Sequence, residues 1–162
     1  MKKGFILISF LMAACLALTG CSSESEPFTP DVPARGIEPD VRDRAVEVTI
    51  SEDQHVHIEY SENSKEYYEI AVSEDSILTV TGVSDKDLSD YVGGRPSDED
   101  RKISIQIPDS MLDSLAISTT NEDISLEAMA VNGSISLSSN GSNISFDGLD
   151  AGKTISLDTK NG

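Results

Sequence analysis

The chain of 162 residues has no tryptophan, and its aromatic side chains amount to only 5%. That excludes a core built on large rings. Burial must come from Ile, Val and Leu, which suit a pleated surface. Cysteine is scarce as well, at two residues, too few for a disulfide scaffold. Two His and no close Cys pair exclude a zinc knuckle. Basic side chains number 12 against 29 acidic ones, a net charge of −17. Lys2 and Lys3 lie in the first twenty residues, which hold no acid, so the remainder carries 10 against 29, or −19. Phosphate repels such a surface and no basic stripe relieves it, so a nucleic-acid partner is excluded. The length allows one ordinary domain or slightly more.

What is present begins with an address. Residues 1–20 read MKKGFILISFLMAACLALTG. Lys2 and Lys3 form a positive start, and the apolar stretch from Phe5 to Leu18 has the length of a signal-peptide core rather than a bilayer span. Leu18-Thr19-Gly20-Cys21 resembles the lipobox of bacterial lipoproteins. The resemblance implies cleavage before Cys21 and lipidation of that residue, with two acyl chains giving a stable anchor where one is marginal. The competing reading is an ordinary cleaved signal in which Cys21 is incidental. Cys15 leaves with the signal, so no disulfide is expected. The expected address is the cell membrane, on its extracytoplasmic face.

Residues 22–44 hold four of the six prolines together with Ser and acids. Such a composition does not offset the entropy of ordering. It predicts a disordered tether over 21–44, semi-rigid through its prolines and about 75 Å long at full stretch. Phe28 is its only aromatic residue and is expected to be a solvated spacer residue.

From residue 45 the apolar period is two. Val46, Val48 and Ile50 alternate with polar neighbours, as do Val56, Ile58 and Tyr60, then Tyr68, Ile70 and Val72, then Leu78 and Val80, then Ile103, Ile105 and Ile107. This alternation predicts half-buried strands. Lys86 to Val92 is the one stretch that reads as a short helical turn, and 93–102 reads as a loop.

The last third repeats. Residues 115–134 and 135–154 superpose so that Leu115 falls over Ile135, Ile117 over Leu137, Ile124 over Ile144 and Leu126 over Phe146. Met129 falls over Leu149 and Val131 over Ala151, and Ile155 and Leu157 open a third unit. The fold class expected over 45–162 is therefore all-β, a right-handed single-stranded parallel β-solenoid of about 20 residues per coil. A hairpin meander is the alternative, because Asn132-Gly133, Asn140-Gly141 and Asn161-Gly162 are good hairpin turns. It does not explain a constant offset. A leucine-rich repeat would need a repeated buried Asn, and the ladder position reads Thr120, Asn140, Lys160.

Three pieces carry a further resemblance: Thr119-Thr120-Asn121-Glu122-Asp123-Ile124, Asn140-Gly141-Ser142-Asn143-Ile144 and Asp158-Thr159-Lys160-Asn161-Gly162. With the upstream strand Ile103 to Pro108, they resemble the repeats of the DUF4097 family of adhesin-like proteins, over about 45–162. The first unit departs with Glu122 where Gly is usual, implying a looser turn. The resemblance implies a β-solenoid and a surface location, and no catalytic residues.

Chemistry-bearing constellations are thin. His55 and His57 share one strand face and would be two metal ligands, but that face is expected to be solvated, so no metal is assigned. Asp98-Glu99-Asp100 lacks calcium-loop spacing. No nucleophile elbow exists, and Gly93-Gly94-Arg95 lacks the context of a phosphate cradle. Glu127 and Asp147 stack at the repeat offset but lack a third group. No cofactor and no catalysis are expected.

The expectation is a membrane-anchored, surface-exposed binding or adhesion-like display module. Its partners are the membrane through Cys21, and a cell-wall polymer or an envelope protein. The alternative is an envelope sensor or the regulatory partner of a membrane protein. Residue 162 falls midway through the third unit. The pattern thus predicts either further coils downstream or a partner chain, a second copy included, over an open solenoid end.

Overall fold

The computed structural model describes residues 24–92, 96–109 and 112–161. The fold is all-β. Fourteen strands run in chain order: β1 (Glu24–Phe28), β2 (Gly36–Asp40), β3 (Ala45–Ile50), β4 (His57–Glu62), β5 (Glu66–Val72), β6 (Ile77–Ser84), β7 (Lys102–Ile107), β8 (Ser114–Thr120), β9 (Ile124–Leu126), β10 (Met129–Val131), β11 (Ser134–Asn140), β12 (Ile144–Phe146), β13 (Leu149–Ala151) and β14 (Ile155–Lys160). The one expected helical turn is a single-turn 3-10 helix, Leu88–Tyr91, and a second spans Glu99–Arg101.

The strands form three sheets. One has the order β1-β4-β7-β3-β9-β12, a second β14-β11-β8-β2-β6-β5, and the third pairs β10 with β13. In the last third the pairing is parallel and in the repeat register. Leu115 faces Ile135 and Ile135 faces Ile155, Ile124 faces Ile144, and Met129 faces Leu149. Each coil thus contributes one strand to each sheet, and like residues stack on like.

Above these coils, β2 and β3 form another, with Ile37 facing Leu115 and Val46 facing Ile124. β6 and β7 stack on β2 and β3 in turn, again parallel. Antiparallel strands finish this end: β5 on β6, β4 on β7 and β1 on β4. The sheets are therefore mixed, and a uniform parallel solenoid over 45–162 is corrected to parallel coils closed at one end by antiparallel strands. The register of 20 holds only in the last third.

The core is one contiguous aliphatic ladder. Ile58, Ile105, Val48 and Leu126 follow one another across the first sheet, and Leu78, Ile37, Leu115 and Ile135 across the second, all buried. Each such burial stabilises by about 1.5–3 kcal/mol.

The expected tether over 21–44 is also corrected. Cys21 and the signal lie outside the described residues. Glu24–Phe28 pairs with β4, and Phe28, set opposite Ile58, packs against the core rather than standing in solvent. Gly36–Asp40 lies between β6 and β8, in the middle of a six-stranded sheet. Ala34, Ile37 and Val41 are buried there. The physical reason is that a few well-spaced apolar residues outweigh the Pro-rich composition. Pro39 is accommodated by a gap: the β2–β8 ladder pairs Gly36, Ile37 and Asp40 but skips Glu38 and Pro39. A residue without an N–H does not donate there.

Corners repeat as well. Asp43, Asn121, Gly141 and Asn161 all have left-handed φ, at 52°, 60°, 118° and 62°. Asn121 Nδ2 donates to Asp43 Oδ1 at 2.8 Å, linking two corners 78 residues apart in sequence. Beneath them, the buried Thr119 hydroxyl donates to the Arg44 carbonyl at 2.6 Å, and Ser139 to the Glu122 carbonyl at 3.3 Å. Asp123 accepts from the Ser142 hydroxyl and from the Asn143 N–H, which holds its carboxyl below the ordinary range. Thr119 and Ser139 therefore satisfy backbone carbonyls of other segments, while Asn121 and Ser142 at the turns tie carboxylate side chains across coils. Glu122 stands in place of the usual Gly and accepts from the buried Arg101, whose guanidinium also reaches Asp98 and the Pro96 carbonyl.

Candidate interaction surface

The ladders that bury the core end in daylight at β12, β13 and β14. Across the first sheet the inward residues run Val48, Leu126, Phe146, with exposures of 0%, 4% and 43%. Across the second they run Leu115, Ile135, Ile155, and Ile155 is 45% exposed. Leu157, stacked on the buried Leu137, is 47% exposed. Of the ten expected inward residues of the repeat, six are buried and Ile144 is half-buried. Phe146, Ile155 and Leu157 point along the same ladders but have no described coil beyond them.

All residues of β14 from Ile155 to Lys160 are exposed, and the outer edges of β12 and β14 are unpaired among the described residues. An unpaired parallel edge with an apolar-x-apolar face is a template for another strand of the same pattern. It is flanked by a shallow groove lined by Glu47, Thr49, Ser125, Glu127, Ser145 and Asp147. Glu127 is engaged within it, accepting from the Ile50 N–H at 3.0 Å. Glu127 and Asp147 are thus brought to one groove, and the first of them serves the backbone of the neighbouring coil.

His55 and His57 both reach solvent, as expected, and each is tied to a neighbour. His55 is exposed, with its Nδ1 2.8 Å from the Asp53 carbonyl. The half-exposed His57 lies between Thr29 Oγ1, 2.9 Å from Nδ1, and Asp53 Oδ1, 2.8 Å from Nε2. The His57 bond, the Ser51 hydroxyl and the His55 N–H together hold the Asp53 carboxyl far below its ordinary range. Thr29 reaches His57 because the segment before it pairs with β4. Among the described residues no group of three or more His, Cys, Asp or Glu is placed to hold a metal ion. Asp98 pairs with Arg101, and the Gly93-Gly94-Arg95 loop and Cys21 lie outside the described residues.

Sequence reasoning missed a polar cluster at the other end of the second sheet. Arg44 is 7% exposed. Its Nε donates to Tyr68 Oη at 2.7 Å, and its Nη2 lies 3.4 Å from Glu66 Oε2. Lys86 Nζ is 2.7 Å from the same Glu66 oxygen. Burial pushes the Glu66 carboxyl up, but the Lys86 contact and the charges of Arg44 and Lys86 outweigh it, so the carboxyl sits below its usual range. No local pattern announces this cluster, because its members come from a corner, from β5 and from the segment after β6.

Stacked parallel coils with antiparallel strands at one end define the class. A family model described as Toastrack DUF4097 matches residues 35–162, and the chain belongs to that family. The match starts within the stretch assigned to a tether, in line with the placement of β2. No curated protein matches the chain significantly. Solved structures similar to it include a putative cell adhesion protein from Clostridium sporogenes, 10% identical at a TM-score of 0.40, over 86% of this chain and 100% of that one. A putative adhesin from Parabacteroides merdae is 16% identical at a TM-score of 0.41, over 81% of this chain and 58% of that one. One from Parabacteroides distasonis is 12% identical at 0.39, over 85% of this chain and 65% of that one.

Proposed function

We propose that the chain is a non-catalytic binding module, anchored by lipid on Cys21 to the extracytoplasmic face of the cell membrane, and adhesion-like in displaying a regular β surface. Its coils continue the right-handed sense expected of a parallel solenoid. Its working surface is the regular outward face of the stacked coils, which meets a cell-wall polymer or an envelope protein. The observation that supports this reading is the in-register parallel stacking of β8, β11 and β14, which sets Ser118, Ser138 and Asp158 in one outward row.

Two measurements test it. Incubation of the purified chain with intact cell wall and with detergent-solubilised membrane proteins is expected to show retention by one of the two, which Ser138→Arg on the outward row weakens. No retention by either overturns the role of the coil face. Metabolic labelling with an alkyne fatty acid is expected to tag the parent chain and not Cys21→Ser. Equal labelling of both overturns the anchor.

A further inference from the structure

At the sealed end, the inward face of β6 carries Leu78 and Val80, both fully buried, and then Gly82. Tyr68 stands opposite Gly82 in the ladder. A Cβ at Gly82 would lie 3.8 Å from the Tyr68 ring and 3.8 Å from the Val41 backbone. The glycine therefore leaves a recess where the core ladder would otherwise continue. A cleft of about 340 Å³ opens over it, lined by Asp40, Arg42, Arg44, Tyr67 and Tyr68 among others. That volume falls within the ~300–1,000 Å³ of small-ligand sites.

The walls of this cleft are built. Arg44 is fixed by Tyr68, by Glu66 and by the Asp43 carbonyl, to which its Nη1 donates at 3.0 Å. Tyr68 accepts from Arg44, so its own hydroxyl proton remains to be donated. Arg42 is exposed and its guanidinium has no partner among the described residues. The other described cations of the first hundred or so residues are all ion-paired: Arg35 with Asp113, Arg44 and Lys86 with Glu66, Lys65 with Asp87 and Asp90, Arg101 with Asp98, and Lys102 with Glu47. In a chain of net charge −17, an exposed guanidinium over a recess walled by a tyrosine ring stands apart.

We propose that this cleft binds a sugar unit bearing a carboxylate. Arg42 takes the carboxylate, where a planar guanidinium offers two parallel N–H donors. The Tyr68 hydroxyl and the exposed Asp40 carboxylate meet the ring hydroxyls as donor and acceptor. The Tyr68 ring, on the Gly82 side of β5, flanks the apolar face of the sugar, while Tyr67 projects from the opposite face of the strand and borders the rim. The site lies at the opposite end of the second sheet from β14.

The test uses the purified chain with two probes, methyl β-D-glucuronide and methyl β-D-glucoside, followed by NMR titration. The glucuronide is expected to bind at least ten times more tightly than the glucoside. Arg42→Ala is expected to erase that preference. Gly82→Val, which fills the recess on a strand that favours Val, is expected to abolish binding of both probes with the thermal midpoint little changed. Equal affinity for the two probes, no binding of the glucuronide at millimolar concentration, or binding that survives both substitutions overturns the proposal.

Discussion

At the sealed end of the stack, the ladder through Ile105 meets Ile58 of an antiparallel strand, and both residues are fully buried. At the other end the same ladder reaches Phe146 and stops in solvent, 43% exposed. The chemistry of the side chains is the same; what differs is whether a further strand covers them. Antiparallel strands cover the core ladders at that end, although β1 and β5 are themselves the outer strands of their sheets. A parallel coil always presents another edge like the one it has just covered. The difference is one of cover alone: no strand lies beyond β12 or β14 among the described residues.

The contrast can be broken by charge. Ile105→Asp places an unpaired carboxylate in a sealed ladder and is expected to prevent folding, a loss of more than about 4 kcal/mol. Phe146→Asp is expected to cost less than about 1 kcal/mol, because water already reaches that face. Within one strand, Ile135→Asp is expected to unfold the last coils and Ser136→Asp to be near neutral. Urea melts of the four variants check this, and equal midpoints for either pair would refute the inward assignment.

The join between the two regions is sharpened by Arg101. Its guanidinium ties the turn before β7 to Glu122, at a corner of the first open-ended coil. Arg101→Ala removes that tie and the packing of a buried guanidinium, at an expected cost of about 1–3 kcal/mol read from the denaturation midpoint. Glycines test the same boundary. A Cβ at Gly133 would lie 2.0 Å from the Asp113 carbonyl oxygen, whereas at Gly148 it would meet only the Ala128 Cβ at 3.8 Å. Gly133→Ala is expected to cost about 2–3 kcal/mol and Gly148→Ala less than about 1 kcal/mol, read as shifts in the denaturation midpoint.

The smallest effect is that of acid. Glu66 near the sealed end and Asp123 near the open one are both held below the ordinary carboxylate range. The unfolded chain therefore takes up protons first as pH falls. Their contribution to stability is full above about pH 5 and is lost as pH drops through and below about 4. Glu66→Gln and Asp123→Asn should each flatten the fall in melting temperature between about pH 5 and 3. An unchanged slope in both would show that neither carboxylate is linked to folding.

Legibility followed the same division. The open-ended coils were readable because Leu115, Ile135 and Ile155 recur at one spacing and stack at that spacing. The sealed end has no such offset. β2 pairs with β6 and β8 across unequal lengths of intervening chain, and Pro39 in a central strand reads as an argument against any strand at all. His55 and His57 were seen, but the cover that Thr29 gives His57 depends on β1, which composition assigned to a tether. The Arg44 cluster and the recess at Gly82 are assembled from three separate segments, and only the folded chain brings them together.

The position of β2 and β3 has a consequence for time. They are made before either neighbour, yet they lie between β6–β7 and β8–β9, and their corner at Asp43 closes on Asn121, 78 residues later. A chain emerging from its N-terminus therefore keeps one edge of each strand bare until the residues near 124 are out, although β6 and β7 can cover the other edges earlier. Closing so long a loop precedes any gain from the contacts it makes, which slows folding. Folding is thus expected to wait for the middle coil and then to run outward from it in both directions. A chain cut before β8 should lack the cooperative urea melt of the full chain, because one edge of β2 and one of β3 stay bare.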